Sequence, residues 1–461
     1  MVKRKYRITA GRDSGRKVRK MPRKKKGKGK KGKKKKKLKG LLEEPGVLVK
    51  RLQKLYTNIC TEKQTALCPV IKRNLKECIE NNKLLVKFIL EPIPMFEDPE
   101  LSNVQLEPLI KAIRNERYKY VKEIYVWDIP LQHAHVANLA LMLERGFYPV
   151  KVLEFMDCQM EAYAAERLLR NCSQFPTLTI LSFDYNEFGD EGVAGLCKGL
   201  KNNRTLLSLS LCYCDLGVES GKLLGNIVAT TALRELYLNG NNLEAEGAIE
   251  LIKLVSDNAK VEHYEREEAA RRKAEEEEEA AEKNKTMTLL NSGTPGISNG
   301  DKDKEEDSKS EKSGSAKSRK GAITGKKKKK KGKKKKKKKE PPPPPAVGPW
   351  LHKLHIADNG IDAYSKGGSF APVICMNLFK ELVTYSDCLK ELDLDDNLIG
   401  DLGGREIMEG LQQRKESGLN SMKVSVTHRM MMPDTFSTIL KLGAGLKKKK
   451  KKKGKGKKKK K

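Results

Sequence analysis

The 461-residue sequence predicts an α/β solenoid in which one strand and one helix alternate along the chain. Three observations support this fold class. An eleven-residue pattern of apolar positions returns along the chain, mostly at steps of 27 or 28 residues. Apolar residues at helical spacing follow each copy of the pattern. The remaining segments are rich in lysine and lie outside the pattern, so we expect a repeated body with charged, unfolded arms.

The net charge of +36 is distributed very unevenly. Residues 1–40, 326–339 and 447–461 carry +21, +13 and +13, which leaves −11 for the rest of the chain. An acidic body with three basic arms is therefore predicted.

No segment of the chain is suited to a membrane or to secretion. The basic start, MVKRKYRITAGRD, is followed by no apolar stretch, and no window approaches the roughly 18 apolar residues that a membrane-spanning helix needs. The ten cysteines are scattered without the spacing of a disulfide framework. We therefore expect an intracellular, soluble protein in a reducing compartment.

The repeat pattern reads L-x-x-L-x-L-x-x-N-x-I and is clearest at residues 389–399. Strong copies begin at Val150, Leu178, Leu206, Leu233, Leu351 and Leu389. Weaker copies begin at Val121 and Leu419, and Leu85, Phe88 and Leu90 are the candidates for a degenerate first unit. One unit cannot bury its own apolar face, so at least about three must stack.

Each position in the pattern has a structural role. The alternating leucines turn one face of a short strand inward, and the asparagine lies where the chain leaves the strand. Its amide can satisfy backbone groups of neighbouring units. Cys158 and Cys214 replace it in two units, and we interpret them as small buried turn residues. Val193, Leu196 and Leu200 then follow at helical spacing, as the strand-to-strand return requires.

These units resemble leucine-rich repeats of the ribonuclease-inhibitor type over residues 121–256 and 349–430. The resemblance implies a horseshoe with parallel strands on the concave face, helices on the convex face, and binding rather than catalysis. Two departures stand out. The step from Leu351 to Leu389 is lengthened to 38 residues, and the unit at Val121 lacks the turn asparagine.

Outside the repeats, composition predicts caps and unfolded segments. Helices with apolar stripes precede the first unit, whereas the stretch after residue 256 has helix-forming charged residues but no apolar stripe to dock. The predicted organisation is a disordered basic tail (1–40), a helical N-terminal cap with a possible degenerate first repeat (41–117), repeats (118–256), a disordered charged insertion with a lysine tract and a proline spacer (257–348), repeats with a C-terminal cap (349–445) and a disordered lysine tail (446–461).

Signals for catalysis or cofactor binding are weak. The stretch GAITGKKKKK at 321–330 lacks the spacing and the Ser or Thr of a phosphate-binding loop. His352 and His355 straddle a predicted strand and so point to opposite faces. Cys212 and Cys214 have no second pair at zinc-site spacing. We predict no enzyme activity, no cofactor and no metal.

The predicted concave face combines carboxylates with aromatic side chains. An ordinary solvated surface would account for exposed charge, but the mixture also suits a groove for a basic protein partner. The candidate partner-binding residues are Glu123, Tyr125, Trp127, Glu154, Met156, Asp184, Glu235, Tyr237, His355, Glu391, Asp393 and Asp395.

The lysine tracts carry charge without aromatic residues, so they can neutralise a polyanion but cannot recognise a nucleic-acid sequence. The candidate contacts are Lys24, Lys25, Lys26, Lys33, Lys34, Lys35, Lys326, Lys327, Lys328, Lys333, Lys334, Lys447, Lys448 and Lys449. Acidic tubulin tails and nucleic acid are the candidate polyanions, and a solubilising or nuclear-import role is the simpler alternative. A membrane is disfavoured because no apolar wedge accompanies the charge.

Two functional hypotheses remain open. The first is a non-enzymatic scaffold on the microtubule or axoneme, since the chain is loosely similar to cilium-associated leucine-rich repeat proteins. The second is a nuclear or nucleolar protein that binds RNA or DNA nonspecifically. No small-molecule substrate is expected under either.

Overall fold

A computed structural model of the chain describes residues 43–94, 103–144, 146–170, 177–291 and 346–443. The side chains are described in these ranges except at 285–291. The three lysine-rich segments, and with them every predicted polyanion-binding lysine, lie outside the described residues.

Strands and helices alternate through the described body. The strands are β1 (Lys87–Leu90), β2 (Glu123–Trp127), β3 (Val152–Met156), β4 (Ile180–Ser182), β5 (Ser208–Ser210), β6 (Glu235–Tyr237), β7 (Lys353–His355), β8 (Glu391–Leu394) and β9 (Lys423–Val426). The helices are α1 (Pro45–Glu62), α2 (Pro69–Glu80), α3 (Leu106–Glu116), α4 (His133–Glu144), α5 (Ala162–Leu169), α6 (Gly189–Leu200), α7 (Val218–Thr230), α8 (Glu244–Asn291), α9 (Ala371–Tyr385), α10 (Gly400–Glu416) and α11 (Pro433–Gly443).

The nine strands form one open parallel sheet in sequence order. The repeated leucines are in register from strand to strand, as in Leu181 opposite Leu209 and Leu236 opposite Leu354. One helix follows each strand and returns the chain to the start of the next. This arrangement confirms the predicted α/β solenoid.

The core lies between the sheet and the helices. Leu209, Leu236, Leu354 and Leu392 are fully buried, as are the helical residues that cover them, such as Leu196. Burying one leucine side chain contributes about 1.5–3 kcal/mol, so the row of repeated leucines dominates the stability of the stack.

The turn asparagines form the expected ladder between neighbouring units. Nδ2 of Asn241 donates to the carbonyl oxygens of Leu211 (2.9 Å) and Leu238 (2.7 Å). Its Oδ1 accepts from the backbone N–H groups of Cys214 (2.9 Å) and Leu216 (3.1 Å). Each such amide therefore satisfies backbone groups of two units that would otherwise be buried without partners.

The two cysteines at the asparagine position are fully buried. The thiol of Cys214 faces the carbonyl oxygens of Phe183 (3.3 Å) and Cys212 (3.4 Å), and that of Cys158 faces those of Val126 and Met156. A thiol is a weak donor and a weak acceptor, so these two positions join their neighbours less strongly than an asparagine does.

Helices cover both ends of the described sheet. Val49 and Leu52 of α1 and Ile71 and Leu75 of α2 are buried where these helices precede the first strand. Strand β1 lies where the sequence suggests a degenerate first unit. At the other end, Asp401 accepts from the backbone N–H of Met432 (3.0 Å) and from Thr435 Oγ1 (2.8 Å), which fixes α11 to the preceding unit.

The long helix α8 corrects the predicted boundary at residue 256. The sequence places a disordered insertion from residue 257 onward, but α8 continues without a break to Asn291. Ser256 and Ala259 are buried, so the docked part of the helix extends beyond the predicted repeat. The side chains of residues 267–284 are exposed, in agreement with the absence of an apolar stripe there.

Polar contacts dock the second part of α8 onto the following unit. Lys260 pairs with Glu381 of α9 (2.5 Å), and Arg266 Nη1 pairs with Asp387 (3.0 Å). Arg266 Nη2 also donates to the carbonyl oxygen of Tyr385 (2.8 Å). His263 and Tyr264 also lie against the Tyr385 ring, with centroids 5.0 Å and 6.2 Å from it. The sequence pattern did not predict this docking, because no continuous apolar stripe marks the segment.

The chain returns to the sheet at a second polar cluster. Arg234 donates to the carbonyl oxygens of Ala346 and Gly348, and its guanidinium lies 5.4 Å from the centroid of the Trp350 ring. The indole N–H of Trp350 donates to Glu262 of α8. Both ends of the insertion are thus held against the described body. Among the described residues, no helix has the length and apolar character that crossing a membrane requires.

Candidate protein-binding surface

The candidate surface is the side of the sheet that faces away from the helices. We call it the sheet face. The side chains that alternate with the buried leucines project from it, and all twelve predicted partner-binding residues are partly or fully exposed. Three further residues with the same alternation, Ser182, Ser208 and Ala357, are only 8% exposed, because small side chains there are covered by their neighbours.

Five of these residues form an aromatic cluster at the N-terminal end of the sheet face: Glu123, Tyr125, Trp127, Glu154 and Met156. The rings of Tyr125 and Trp127 meet edge to face with centroids 6.0 Å apart. The indole N–H of Trp127 donates to Glu154 Oε1 (2.8 Å), and the Tyr125 hydroxyl donates to Glu123 Oε2 (3.2 Å). The rings are therefore held in fixed orientations by carboxylates of the same face.

Burial and the neighbouring Glu123 carboxylate raise the pKa of Tyr125 to about 12. The hydroxyl consequently stays protonated at neutral pH and serves as a hydrogen-bond donor. Lys87 Nζ lies 4.1 Å from the centroid of the Tyr125 ring, so one cation already occupies a face of this ring.

A second group, the ion-paired cluster, lies at the C-terminal end: Glu235, Tyr237, Lys353, His355, Glu391, Asp393 and Lys423. Lys353 pairs with Glu235 (3.0 Å) and Lys423 with Glu391 (2.6 Å). His355 lies 3.5 Å from Glu391 and 3.6 Å from Asp393. The ammonium of Lys423 holds the pKa of Glu391 below its usual value.

The ion-paired cluster changes the predicted electrostatics. From sequence, the candidate residues of this face were carboxylates, aromatic side chains, one methionine and one histidine, and Lys353 and Lys423 were not among them. The structure places Lys353 and Lys423 against the carboxylates of the C-terminal end, because neighbouring strands bring residues of different units within ion-pair distance. The C-terminal end is therefore partly neutralised.

Asp184 and Asp395 lie apart from these two clusters. Asp184 accepts from Ser210 Oγ (2.6 Å) and from the backbone N–H of Cys212 (2.9 Å), and Asp395 accepts from Thr427 Oγ1. Both carboxylates thus have structural partners in the next unit.

Sequence reasoning missed a row of residues at the carboxyl ends of the strands. Each occupies the eighth position of the pattern, just before the position of the turn asparagine, and each has a positive φ between 51° and 69°. The row is Asp128, Asp157, Tyr185, Tyr213, Gly240, Asp358 and Asp396. The eighth position of the repeat pattern was the signal that could have identified it.

Two tyrosines form the centre of this row, which we call the edge row. The rings of Tyr185 and Tyr213 stack with centroids 4.8 Å apart and planes 7° from parallel. They remain 51% and 44% exposed. The Tyr213 ring covers Gly240, where an added Cβ would come within 2.1 Å of a ring carbon. Glycine at this position therefore makes the stack possible.

The two edges of the sheet have opposite charge. The connections that follow β2–β8 at the carboxyl edge carry ten carboxylates and one lysine, Lys366. The connections that precede the same strands at the amino edge carry nine lysines and arginines and one carboxylate, Asp387, among the residues that the structure describes. The net charge of the body is thus divided between its edges.

The histidines and cysteines considered from sequence lie in separate surroundings. Among the described residues, no three His, Cys, Asp or Glu side chains are grouped as metal ligands would be. Burial raises the pKa of Cys212 to about 11, which keeps this thiol protonated. The ring of His133 stacks on Tyr163 at 4.5 Å rather than joining His135.

The chain was compared with known proteins. A leucine-rich repeat family model matches residues 176–197, 231–251 and 385–408. The mouse ribonuclease inhibitor is 27% identical over 218 residues, 43% of this chain and 47% of its own length. The pig ribonuclease inhibitor is 28% identical over 173 residues, 36% and 38% of the two lengths.

Mouse NACHT, LRR and PYD domains-containing protein 4B is 29% identical over 139 residues, 30% of this chain and 16% of its own length. The chain therefore spans less than half the length of each of these relatives. The matched segments fall on repeat units of the open parallel sheet. The repeats of this chain are leucine-rich repeats of the ribonuclease-inhibitor type.

Proposed function

We propose that this protein is a non-enzymatic scaffold whose sheet face binds a protein partner. The observation that supports this most directly is the aromatic cluster, where Tyr125, Trp127 and Met156 present partly exposed apolar surface beside Glu123 and Glu154. Aromatic residues and methionine are enriched at protein interfaces, and a buried tryptophan is a frequent source of binding energy. The names of two relatives, ribonuclease inhibitors, describe proteins that act by binding another protein.

The proposed partner is basic. Glu123, Glu154 and Asp184 add negative potential to the N-terminal half of the sheet face, and the carboxyl edge of the sheet extends it. Complementary charge mainly increases the rate and the specificity of association.

The test of this proposal is affinity capture followed by identification of the bound proteins. Tyr125→Ala with Trp127→Ala should abolish capture of at least one protein that the wild-type chain retains. Tyr364→Ala with Phe370→Ala, which removes two aromatic side chains exposed in the connection before α9, should leave that capture unchanged. If both double variants capture the same proteins as the wild type, the sheet face is not the binding surface.

We further propose that the lysine tracts hold the scaffold on a polyanionic surface inside the cell, with the microtubule or axoneme as the first candidate and nuclear or nucleolar RNA or DNA as the alternative. The cations of the amino edge, including Arg117, Lys122 and Arg204, would add to this contact. Lysine supplies a point charge that neutralises phosphates or carboxylates without sequence preference.

Co-sedimentation with microtubules, before and after removal of the acidic tubulin tails, separates the two candidates when it is measured beside binding to duplex RNA. For a duplex, the logarithm of affinity should fall with the logarithm of salt concentration at a slope of about −0.9 per phosphate contacted. Deletion of residues 447–461 should flatten this slope. An unchanged slope in each single-tract deletion would rule out the tracts as the contacts.

A further inference from the structure

We propose that the stacked Tyr185–Tyr213 pair at the carboxyl edge of the sheet is a docking site for an extended, arginine-bearing segment of a partner protein. This inference rests on the proposed protein-binding function and assigns it a place and a partner chemistry outside the aromatic cluster of the sheet face.

The first support is the exposure of the pair. About half of each ring remains accessible, although the two rings stack on each other and Tyr213 also covers Gly240. A bulky side chain seldom adopts the positive φ that both tyrosines have, and the four other non-glycine positions of the edge row carry aspartate, which tolerates it well. Aspartate would therefore suit the backbone at these two positions, whereas tyrosine leaves about half of each ring exposed.

The second support is the charge on both sides of the pair. Asp128 and Asp157 precede it in the edge row, and Asp358 and Asp396 follow Gly240. Within the described part of the chain, no Lys or Arg lies within 4.0 Å of these four carboxylates, in contrast to Glu235 and Glu391 of the ion-paired cluster. Burial, the Tyr185 ring and the carboxylates of Asp358 and Asp396 raise the pKa of Tyr213, so the negative charge reaches the pair itself.

This combination selects arginine in the partner. A planar guanidinium can stack on an aromatic face and bond to a carboxylate at the same time, whereas an ammonium is a compact and strongly hydrated charge. A lysine could pair with the aspartates, but its ammonium would interact less favourably with the tyrosine rings. We therefore place one arginine of the segment on the tyrosine pair, with further basic residues toward Asp157 and Asp358.

The spacing of the row sets the length of the segment. Neighbouring parallel strands are about 4.8 Å apart, so the five steps from Asp157 to Asp396 cover about 24 Å. An extended chain advances about 3.3 Å per residue, and about seven residues span this distance. The row is one side chain wide in each unit, which suits an extended segment better than a helix.

The experiment measures binding of two fluorescently labelled probes, nona-arginine and nona-lysine, to the full-length chain by fluorescence polarisation at 150 mM salt. The wild-type protein should bind nona-arginine more tightly. A cation–π contact of about 0.5–2 kcal/mol corresponds to roughly a twofold to thirtyfold preference. Equal affinity for the two probes would overturn the selection of arginine.

Tyr185→Asn with Tyr213→Asn should remove that preference while nona-lysine binding changes little. Asparagine tolerates positive φ, so this variant is designed to keep the turns intact, which an unchanged thermal melt would verify. Asp358→Asn with Asp396→Asn should weaken binding of both probes severalfold. Unchanged nona-arginine binding in both variants would overturn the proposal. Because the two variants change different residues, this conclusion does not depend on the stability of either one.

Matched controls separate this site from general electrostatics and from the sheet face. Glu275→Gln with Glu276→Gln makes the same charge change on the exposed part of α8 and should leave both affinities unchanged. Tyr125→Ala with Trp127→Ala should leave the arginine preference intact. If this sheet-face variant loses the captured partner while the tyrosine variant keeps it, the proposed function stands and the edge site falls. If neither variant loses the partner, the proposed function falls.

Discussion

The two edges of the sheet are built from the same repeat unit but use charge in different ways. At the amino edge, Arg234 donates to backbone carbonyl oxygens of the returning chain. Arg266 and Arg414 do the same at the end of α9, and Arg414 also in the connection that leads to β8. At the carboxyl edge, the asparagines satisfy the backbone from inside, and the aspartates and tyrosines of the edge row point to solvent. Arginines of the amino edge therefore hold the fold, whereas the edge row at the carboxyl edge presents its carboxylates to solvent.

The sign of each edge follows from the direction of the helices. All strands of the sheet are parallel, and each helix between two strands returns the chain, so these helices begin at the carboxyl edge and end at the amino edge. A helix carries partial positive charge at its N-terminus and partial negative charge at its C-terminus. Carboxylates such as Asp190 and cations such as Lys201 complement these ends. This accounts for the charge separation, but it does not account for the exposed tyrosine pair.

The largest expected loss of stability comes from substituting Arg414 at the amino edge. This buried side chain donates to the carbonyl oxygens of Val383 (2.8 Å), Ser386 (2.5 Å), Leu389 (3.2 Å) and Asn420 (2.7 Å). Within the described ranges of the chain, no carboxylate accepts from it. Arg414→Met should lower the free energy of unfolding by about 3–5 kcal/mol, because buried carbonyl groups lose their donors. Urea denaturation would measure the loss.

The control for this change lies on the same helix. Arg405 is exposed and pairs with Asp401 in the preceding turn. Arg405→Met should change the free energy of unfolding by less than about 1 kcal/mol. Comparable losses in the two variants would show that the amino edge does not depend on its buried arginine.

A smaller effect is expected at the carboxyl edge, where neighbouring units carry different turn residues. Asn241→Ala removes four hydrogen bonds to buried backbone groups and should cost about 2–3 kcal/mol. Cys214→Ala, one unit earlier, removes only weak thiol contacts and should cost about 1 kcal/mol. Equal losses would mean that the asparagine ladder is no stronger than the thiol that replaces it.

Two replacements of the insertion test whether Glu262 and Arg266 of α8 contribute to the stability of the amino edge. Replacing residues 271–344 with a Gly-Ser linker keeps Arg266 and the returning segment at Ala346, so the free energy of unfolding should stay within about 0.5 kcal/mol of the wild type. Replacing residues 262–346 also removes Glu262 and Arg266. This larger replacement should lower the free energy of unfolding by a further 1 to 2 kcal/mol, roughly. Equal free energies of unfolding of the two proteins would show that residues 262–270 of α8, with Glu262 and Arg266, contribute nothing to stability.

The smallest effect concerns the sheet face between the two edges. Lys423 lowers the pKa of Glu391 in the folded protein, so this pair contributes stability above the unfolded pKa of about 4.3 and loses it as the pH falls through the lower folded value. Glu391→Gln should therefore destabilise the protein slightly at pH 7, by less than about 1 kcal/mol, and by a smaller amount at pH 3. Urea denaturation at both pH values would detect this convergence, and Glu276→Gln should show no difference at either. If the difference in free energy of unfolding between wild type and Glu391→Gln were the same at both pH values, the stabilising role of the Glu391–Lys423 pair would be contradicted.

Much of the fold could be predicted because local patterns encode it. The spacing of Leu206, Leu209 and Leu211 alone identifies an inward-facing strand, and the asparagine that follows such strands predicts the turn ladder. The twelve candidate residues of the sheet face follow from the same alternation. The packing of residues 260–266 of α8 was missed, since no continuous apolar stripe marks a segment that docks through two ion pairs and two ring contacts.

The sequence by itself determined the repeat, the inward leucines, the turn asparagines and the division of charge between body and arms, because each of these depends on residues close together in the chain. Only the tertiary structure decided that Lys353 and Lys423 neutralise part of the sheet face and that Tyr185 stacks on Tyr213. These partners lie 28 residues or more apart, and only the stacking of units brings them within contact distance. The period of the repeat sets which units become neighbours, and the side chains that meet there set the chemistry of the surface.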